Sequence, residues 1–457
     1  MISIFLARRT MCVLVAAALA GCASVAPDHG FGDVERQAQA RTGYAPRLAQ
    51  NDDAKRDIAE TVSKLLQQPL SVNDAVRIAV INNPGLQASF WDVGIAQADL
   101  AQAGRLPNPA LDFKRVNAGG GVGIERTFTV NLIGALTMPL ASRLESRRFQ
   151  QVKLAVGAEI ERKVAETRRA WYEAVAAEQS VEYAKQVEQA ADASAELSER
   201  MVKAGNASKL DLAREQAFHA ESSAALARTE REARATREKL ARLLGLASSR
   251  FQLPERLPGL PSSTAELADI ERIALDQRLD VQAARSDAEA TAANLGLTRT
   301  TRFINVLDLG YVRNTGANEP AGRGYEVTLE LPLFDWGGAR VARAEAVYMQ
   351  SVNKVAQTAV DARSEAREAY ANYQSSYVLA KRYRDEVIPL RKKISQEVLL
   401  RYNGMLASTF ELLADAREQA SAVNAYIDAQ KEYWIAHATL EAALGTRVAN
   451  PNQGAQQ

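Results

Sequence analysis

The chain has 457 residues, with 56 basic and 55 acidic side chains and a formal net charge of +1. That balance leaves no basic field to hold nucleic acid. The only cysteines are Cys12 and Cys22, so the body of the protein offers neither a disulfide nor a thiolate metal site. Long stretches of Ala, Glu, Arg, Gln and Leu favour extended helices over a compact mixed core.

The first element is an address. Arg8 and Arg9 form a positive segment, and the apolar run at 11–20 is shorter than the ~20 residues a spanning helix needs; it suits a signal-peptide core. The string Leu19-Ala20-Gly21-Cys22 resembles the bacterial lipobox. The resemblance implies that residues 1–21 are removed, that Cys22 is acylated, and that 22–70 is an acylated N-terminal segment. Ala23, where retained lipoproteins carry Asp, implies delivery to the outer membrane. Two or three acyl chains, at ~0.8 kcal/mol per buried CH₂, anchor firmly.

Beyond this point the chain repeats itself. "RIAVINNPGLQA" from Arg77 aligns without a gap to "RIALDQRLDVQA" from Arg272, and later landmarks follow in order: Pro139 with Pro332, Gly205 with Gly404, "LLGLAS" with "ALGTRV". The period is too long for a solenoid. It divides the chain into a first repeat (71–250), a linker (251–262), a second repeat (263–447) and a tail (448–457).

Each repeat has one order of elements. A short helix comes first, with Ser71 as N-cap in one half and Ser263 or Thr264 in the other. A second helix follows, over about 86–103 and 281–297. Two strand-like runs come next, then a long helix, a Gly/Asn turn, a return helix and a closing glycine. The first long helix is predicted from near Ser142 to the "KAGNAS" turn, roughly 90 Å at 1.5 Å per residue. Its counterpart runs over 337–401, bent at Pro389. Apolar steps of three and four residues (Val164, Trp171, Val175; Leu412, Val423, Ile427, Trp434) predict coiled-coil packing.

The strand runs alternate. In "TFTVNLIGALTMPL", Phe128, Val130, Leu132, Leu136 and Met138 alternate with polar residues; in "YEVTLELPL", Tyr325, Val327, Leu329 and Leu331 do. The apolar face has two possible fates, a soluble core or the lipid-facing side of a barrel with a wet lumen. Four strands cannot close a barrel, and an open edge cannot sit in lipid, so a membrane fate requires several chains to share one barrel.

At the strand–helix corners, "AGRLPNPAL" (103–111) and "LPLFDWGGARVARAEA" (331–346), and at the turn "YNGMLASTFELLADARE" (402–418), the sequence resembles the TolC family of outer-membrane factors. The likeness covers nearly the whole mature chain. It implies a mainly α fold with a small β part: duplicated long helical hairpins forming an α-barrel tunnel, and four strands given to a shared trimeric twelve-stranded β-barrel. It implies a homotrimer in outer-membrane lipid, docked to a periplasmic adaptor and an inner-membrane efflux pump, with no cofactor, metal or nucleic acid.

The resemblance also marks residues. Tyr402 and Glu411 match tip positions that narrow the entrance, and Asp415 lies one residue off a second acidic position. Three-fold symmetry would gather such carboxylates around an axis; alternatively, they are solvated helix positions paired with Arg401 or Arg417. Gly205, Asn206, Ser208, Gly404 and Ser408 lie at the hairpin ends, as adaptor contacts or as simple turns with glycine supplying the positive φ. The tip string resembles members that accompany copper or other heavy-metal pumps; drugs are the other cargo class.

His29, His219 and His437 are scattered, and no H-E-x-x-H, G-x-S-x-G or P-loop occurs, so catalysis is not expected. The competing reading is a structural coiled-coil lipoprotein that tethers the outer membrane; it has no use for strands.

Overall fold

A computed structural model describes residues 26–118, 121–303, 306–316 and 320–448. The signal segment, Cys22 with its predicted acylation, and the tail beyond 448 lie outside the described residues. The chain forms two compact units. Among the described residues, one comprises 26–34, Phe90–Val156 and Asp280–Ala359 and holds the sheet; the other comprises Glu35–Ser89, Gly157–Leu279 and 360–448 and is helical.

In chain order the elements are α1 (Phe31–Thr42), α2 (Asp52–Leu65), α3 (Val72–Asn82), α4 (Pro84–Ala103), β1 (Ala110–Ala118), β2 (Gly121–Asn131), α5 (Leu132–Lys203) and α6 (Lys209–Leu244). The second repeat gives α7 (Ile270–Gln277), α8 (Leu279–Thr301), β3 (Leu307–Thr315), β4 (Gly322–Leu329), α9 (Gly338–Arg382), a π-turn (Tyr383–Val387), α10 (Ile388–Asn403) and α11 (Thr409–Leu444). Both halves thus follow the predicted order: short helix, helix, two strands, long helix, return helix.

The strands form one antiparallel sheet, ordered β1-β2-β3-β4, with β1 and β4 as its edges. The run predicted as one strand through Met138 is shorter. β2 ends at Asn131, whose Oδ1 accepts the Gly134 N–H; this side-chain cap opens α5, so Leu136 and Met138 are helical and Pro139 lies inside the helix. The helix therefore begins at Leu132 rather than near Ser142. It is 72 residues long, about 108 Å by helical rise. The second corner stays open instead: residues 330–337 have no regular structure beyond bends, and Gly337 takes φ 73° before α9.

Other differences have local causes. Ser71 caps α3 as predicted, its Oγ accepting the Asp74 N–H at 3.1 Å. Ser263 and Thr264 cap nothing: the Ala265 and Leu267 N–H groups donate to the hydroxyls of Tyr373 (3.2 Å) and Tyr370 (3.3 Å). Those bonds hold the segment in irregular backbone, and α7 starts only at Ile270. Pro389 lacks the N–H for a normal helical bond, and the ladder widens one turn earlier, where the Ile388 N–H reaches the Tyr383 carbonyl.

The linker is a packed strap. Phe251, Leu257 and Leu260 are buried, and the Pro258 carbonyl accepts from Trp434 Nε1 at 2.9 Å and Gln430 Nε2 at 2.7 Å. Around it lies the helical unit's core, in which Tyr172 stacks on Trp434 at 5.4 Å. Val164, Trp171, Val175, Ile427 and Trp434 are buried, and Leu412 and Val423 partly so, as the apolar spacing predicts.

The two halves are built most alike at the closing glycines. Gly245 (φ 68°) and Gly445 (φ 63°) are left-handed C-caps of α6 and α11. Each abuts the corner between a short helix and the next: a Cβ on Gly245 would lie 2.6 Å from the Asn82 carbonyl oxygen, and one on Gly445 3.0 Å from Arg278 Cα. In the first repeat the corner is tied by Asn82 Nδ2, which donates to the Leu244 carbonyl at 2.8 Å. The second uses Arg41 of α1, which donates to the Gln277 and Gly445 carbonyls at 2.5 and 2.7 Å.

Candidate functional site: the sheet faces and the hairpin ends

Strand pairing assigns every sheet residue to a face, because side chains alternate along each strand. One face carries Leu111 and Phe113; Phe128 and Val130; Leu307, Leu309 and Tyr311; Tyr325, Val327 and Leu329. A directly opposed row, Leu111–Phe128–Tyr311–Tyr325, crosses all four strands, and the two tyrosines meet at 5.9 Å. Phe113, Phe128, Tyr311 and Tyr325 are 63%, 45%, 42% and 83% exposed. Burying such side chains is worth about 1.5–3 kcal/mol each, so this face calls for an apolar surrounding.

The other face is polar and acidic. Asp112, Glu125, Asp308 and Glu326 lie on it with a single base, Lys114, which is directly opposite Glu125. Both edges leave backbone N–H and C=O groups unpaired, a template for another chain. The described helices include none long and apolar enough to cross a membrane.

The hairpin ends lie in the helical unit and are built alike. At the α5–α6 turn Gly205 holds φ 78°; its N–H donates to the Val202 carbonyl (3.0 Å) and that of Asn206 to the Met201 carbonyl (2.8 Å). At the α10–α11 turn the same two bonds run from Met405 to Tyr402 and from Leu406 to Arg401, at 3.0 and 2.8 Å. Both are Schellman closures, and Ser208 and Ser408 then cap the return helices through the Asp211 and Glu411 N–H groups, each at 3.1 Å. The expected pairing of Gly205 with Gly404 is therefore off by one. Gly404 has φ −81°, and the left-handed position falls on Met405 at φ 60°.

A non-glycine residue there costs roughly 1–2 kcal/mol, and Met405, 94% exposed, recovers nothing by packing. Met405→Gly is therefore expected to raise stability by about 0.5–1 kcal/mol, glycine's unfolded-state entropy offsetting the rest. A thermal melt of the two proteins checks it.

The predicted gate residues occupy different settings. Tyr402 is half-buried in the last turn of α10, and Glu411 is exposed at the start of α11. Asp415 faces α10, where it accepts from Ser395 Oγ at 2.5 Å. Gly205, Asn206, Ser208, Gly404 and Ser408 are all exposed. Arg417 pairs with neither acid. It crosses to the other hairpin, donating to Glu215 on α6 at 2.9 Å with its guanidinium 4.0 Å from the Phe218 ring centroid. Glu215 is 3% exposed, and its second oxygen accepts from Ser194 on α5 at 2.7 Å. Sequence reasoning missed this tie because its partners are 202 residues apart.

A small cleft of about 40 Å³ is lined by Arg41, Glu161, Arg168, Glu441 and Arg447, among others. Its charges answer one another: Arg41 pairs with Glu161 at 2.5 Å, Arg168 with Glu441, and Arg447 donates to the Thr42 carbonyl. They strap α1 to the end of α11. His437 is buried beside Tyr373 and Trp434, and burial holds its pKa below the usual histidine range; it is a neutral core residue.

No family model matches the chain. Protein CyaE of Bordetella pertussis is 27% identical over 337 residues, covering 67% of this chain and 71% of CyaE. The cobalt-zinc-cadmium resistance protein CzcC of Cupriavidus metallidurans is 26% identical over 276 residues, 58% of this chain and 64% of CzcC, so that match spans less than two thirds of CzcC. The open state of the Neisseria gonorrhoeae MtrE outer membrane channel superimposes with a TM-score of 0.67 at 20% identity, over 82% of this chain and 89% of MtrE.

Proposed function

We propose that this chain, a TolC-type outer-membrane factor in its fold, is the outer-membrane channel of a tripartite efflux system. It passively conducts cargo received from a periplasmic adaptor and an inner-membrane pump. The observation that carries this reading is the sheet: four strands with both edges open, one face apolar and exposed, the other acidic. The smallest closed membrane barrels use about eight strands, so identical copies complete the pore, three giving twelve. In that barrel the apolar face meets lipid and the acidic face lines the lumen. A coiled-coil tether would leave both faces and both edges without a role.

The repeats, 71–250 and 263–447, each supply one β-hairpin and one helical hairpin. Cys22 carries the lipid anchor. Tyr402, Glu411 and Asp415 narrow the periplasmic entrance, Glu411 being the exposed acid and Asp415 the one held against α10. Gly205, Asn206, Ser208, Gly404 and Ser408 present the hairpin ends to the adaptor.

Cations are the favoured cargo. A lumen with four carboxylates and one lysine per chain repels anions electrostatically, and the relation to CzcC, a cobalt-zinc-cadmium resistance protein, points the same way. Purified protein in planar bilayers is expected to run as a trimer and pass current, with K⁺ preferred over Cl⁻ in reversal potentials under a salt gradient. Neutralising the face (Asp112→Asn, Glu125→Gln, Asp308→Asn, Glu326→Gln) should bring that preference close to unity. A monomer in mild detergent that passes no current would overturn the channel; an anion-selective wild-type pore would overturn the cation assignment alone.

A further inference from the structure

Every strand of the sheet places one arginine on its apolar face. Arg126 is directly opposite Arg313, and Arg313 directly opposite Arg323; Arg115 sits one step nearer the hairpin turns, diagonal to Arg126. All four are exposed. Arg126 lies over the Phe113 ring, 5.6 Å from its centroid, and among the described residues none of the four forms an ion pair. The sheet's carboxylates are all on the opposite face, where Lys114 is the single base, so the arginine row has no acidic neighbour on its own face. Like charges directly opposed on neighbouring strands are destabilising. A row of them beside an aromatic row is a poor arrangement for water alone and a good one for an anion at an apolar boundary.

The row's height is informative. It lies one step on the hairpin-turn side of the Phe128–Tyr311–Tyr325 row, and from Arg313 to Leu307 at the helix-linked end the strand rises about 20 Å. At the ~40° tilt of barrel strands that is roughly 15 Å along the membrane normal, a stretch of the ~25 Å apolar band lying wholly on one side of the row. The arginines therefore mark one boundary of the band.

We propose that this row is a docking surface for the phosphate groups of anionic lipid in the leaflet that faces the hairpin turns. Guanidinium forks grip phosphate bidentately, while their aliphatic stems and the aromatic row lie against the acyl chains. With one arginine per strand, a closed barrel carries the row as a continuous girdle. The proposal rests on the membrane-barrel reading above and adds to it a specific lipid chemistry.

The test uses the full-length protein in vesicles of phosphatidylcholine alone and of phosphatidylcholine with about a tenth bisphosphorylated lipid A. Insertion and conductance are read in both, and lipid A retained per chain is counted after extraction in mild detergent. The wild type is expected to insert and conduct in both and to retain lipid A. Arg126→Gln/Arg313→Gln/Arg323→Gln should insert and conduct equally in phosphatidylcholine, with lipid A affinity lower by about 100-fold; Arg313→Gln alone should lose about five-fold. Half-molar salt should weaken retention by the wild type but not by the triple variant. Equal retention by wild type and triple variant, or displacement of lipid A by millimolar inorganic phosphate, would overturn the proposal. If the triple variant does not insert, the single variant and the salt series decide it. Failure of the wild type to insert in either vesicle would instead sink the barrel reading, and this proposal with it.

Discussion

Gly245→Ala is expected to lower the unfolding free energy by about 3–4 kcal/mol, whereas Gly205→Ala should cost only about 1 kcal/mol, although both glycines are left-handed helix caps. The backbone term is common to both, roughly 1–2 kcal/mol for an L-residue at positive φ. What differs is the surroundings. At Gly205 nothing lies within 4 Å of an added Cβ, whereas at Gly245 the Asn82 carbonyl oxygen stands at 2.6 Å and Pro84 Cδ at 2.9 Å. Neither can swing aside as a flexible side-chain end would. Relief requires moving the α3–α4 corner, which strains the Asn82 amide bonds to the Leu244 and Gly245 carbonyls and opens a core in which Leu244 and Ile81 are buried. Overpacking of this kind adds about 1–3 kcal/mol. Circular dichroism melts of the detergent-solubilised variants give the order directly; equal losses would mean that the corner yields more easily than its contacts imply.

These two glycines also separate what the sequence states from what it withholds. A left-handed cap, an N-cap serine and strand alternation are local, and they were legible: Gly205, Ser71 and the Tyr325–Leu329 alternation stand where the pattern puts them. Where local signals compete, tertiary partners decide. Residues 263–269 have helix-capping residues but give their N–H groups to tyrosine hydroxyls on α9. Phe128, Val130, Leu132, Leu136 and Met138 keep even spacing, yet Asn131 caps a helix partway along. Glycine's preference pointed to Gly404, but a register of one residue, fixed by the hydrogen bonds of the turn, put Met405 there instead. The sheet's charge separation needed strand register, not strand existence. Arg126, Arg313 and Arg323 are unremarkable singly; only pairing sets them side by side, and pairing is not written in any one strand.

Arg417→Ala is expected to cost about 3 kcal/mol and to loosen the two helical hairpins from one another. Arg417 ties α11 to Glu215 on α6, and Ser194 on α5 holds the other carboxylate oxygen. Exposed ion pairs contribute little, but Glu215 is only 3% exposed, and removing its cation leaves a buried carboxylate with one hydroxyl as its remaining partner. Breaking a buried pair from one side costs about 3–5 kcal/mol; the low end applies because Arg417 itself is 34% exposed. Glu215→Gln should cost less, since the neutral amide tolerates burial and still accepts from Arg417. A cycle of Arg417→Ala, Glu215→Gln and the double variant is expected to show coupling of about 1–2 kcal/mol. In bilayers the Arg417→Ala pore should spend more time in its larger conductance levels, because Tyr402 and Glu411 sit at the end of the hairpin that Arg417 restrains. A variant as stable as the wild type, with unchanged conductance, would show that the α10–α11 hairpin is held by its apolar packing alone.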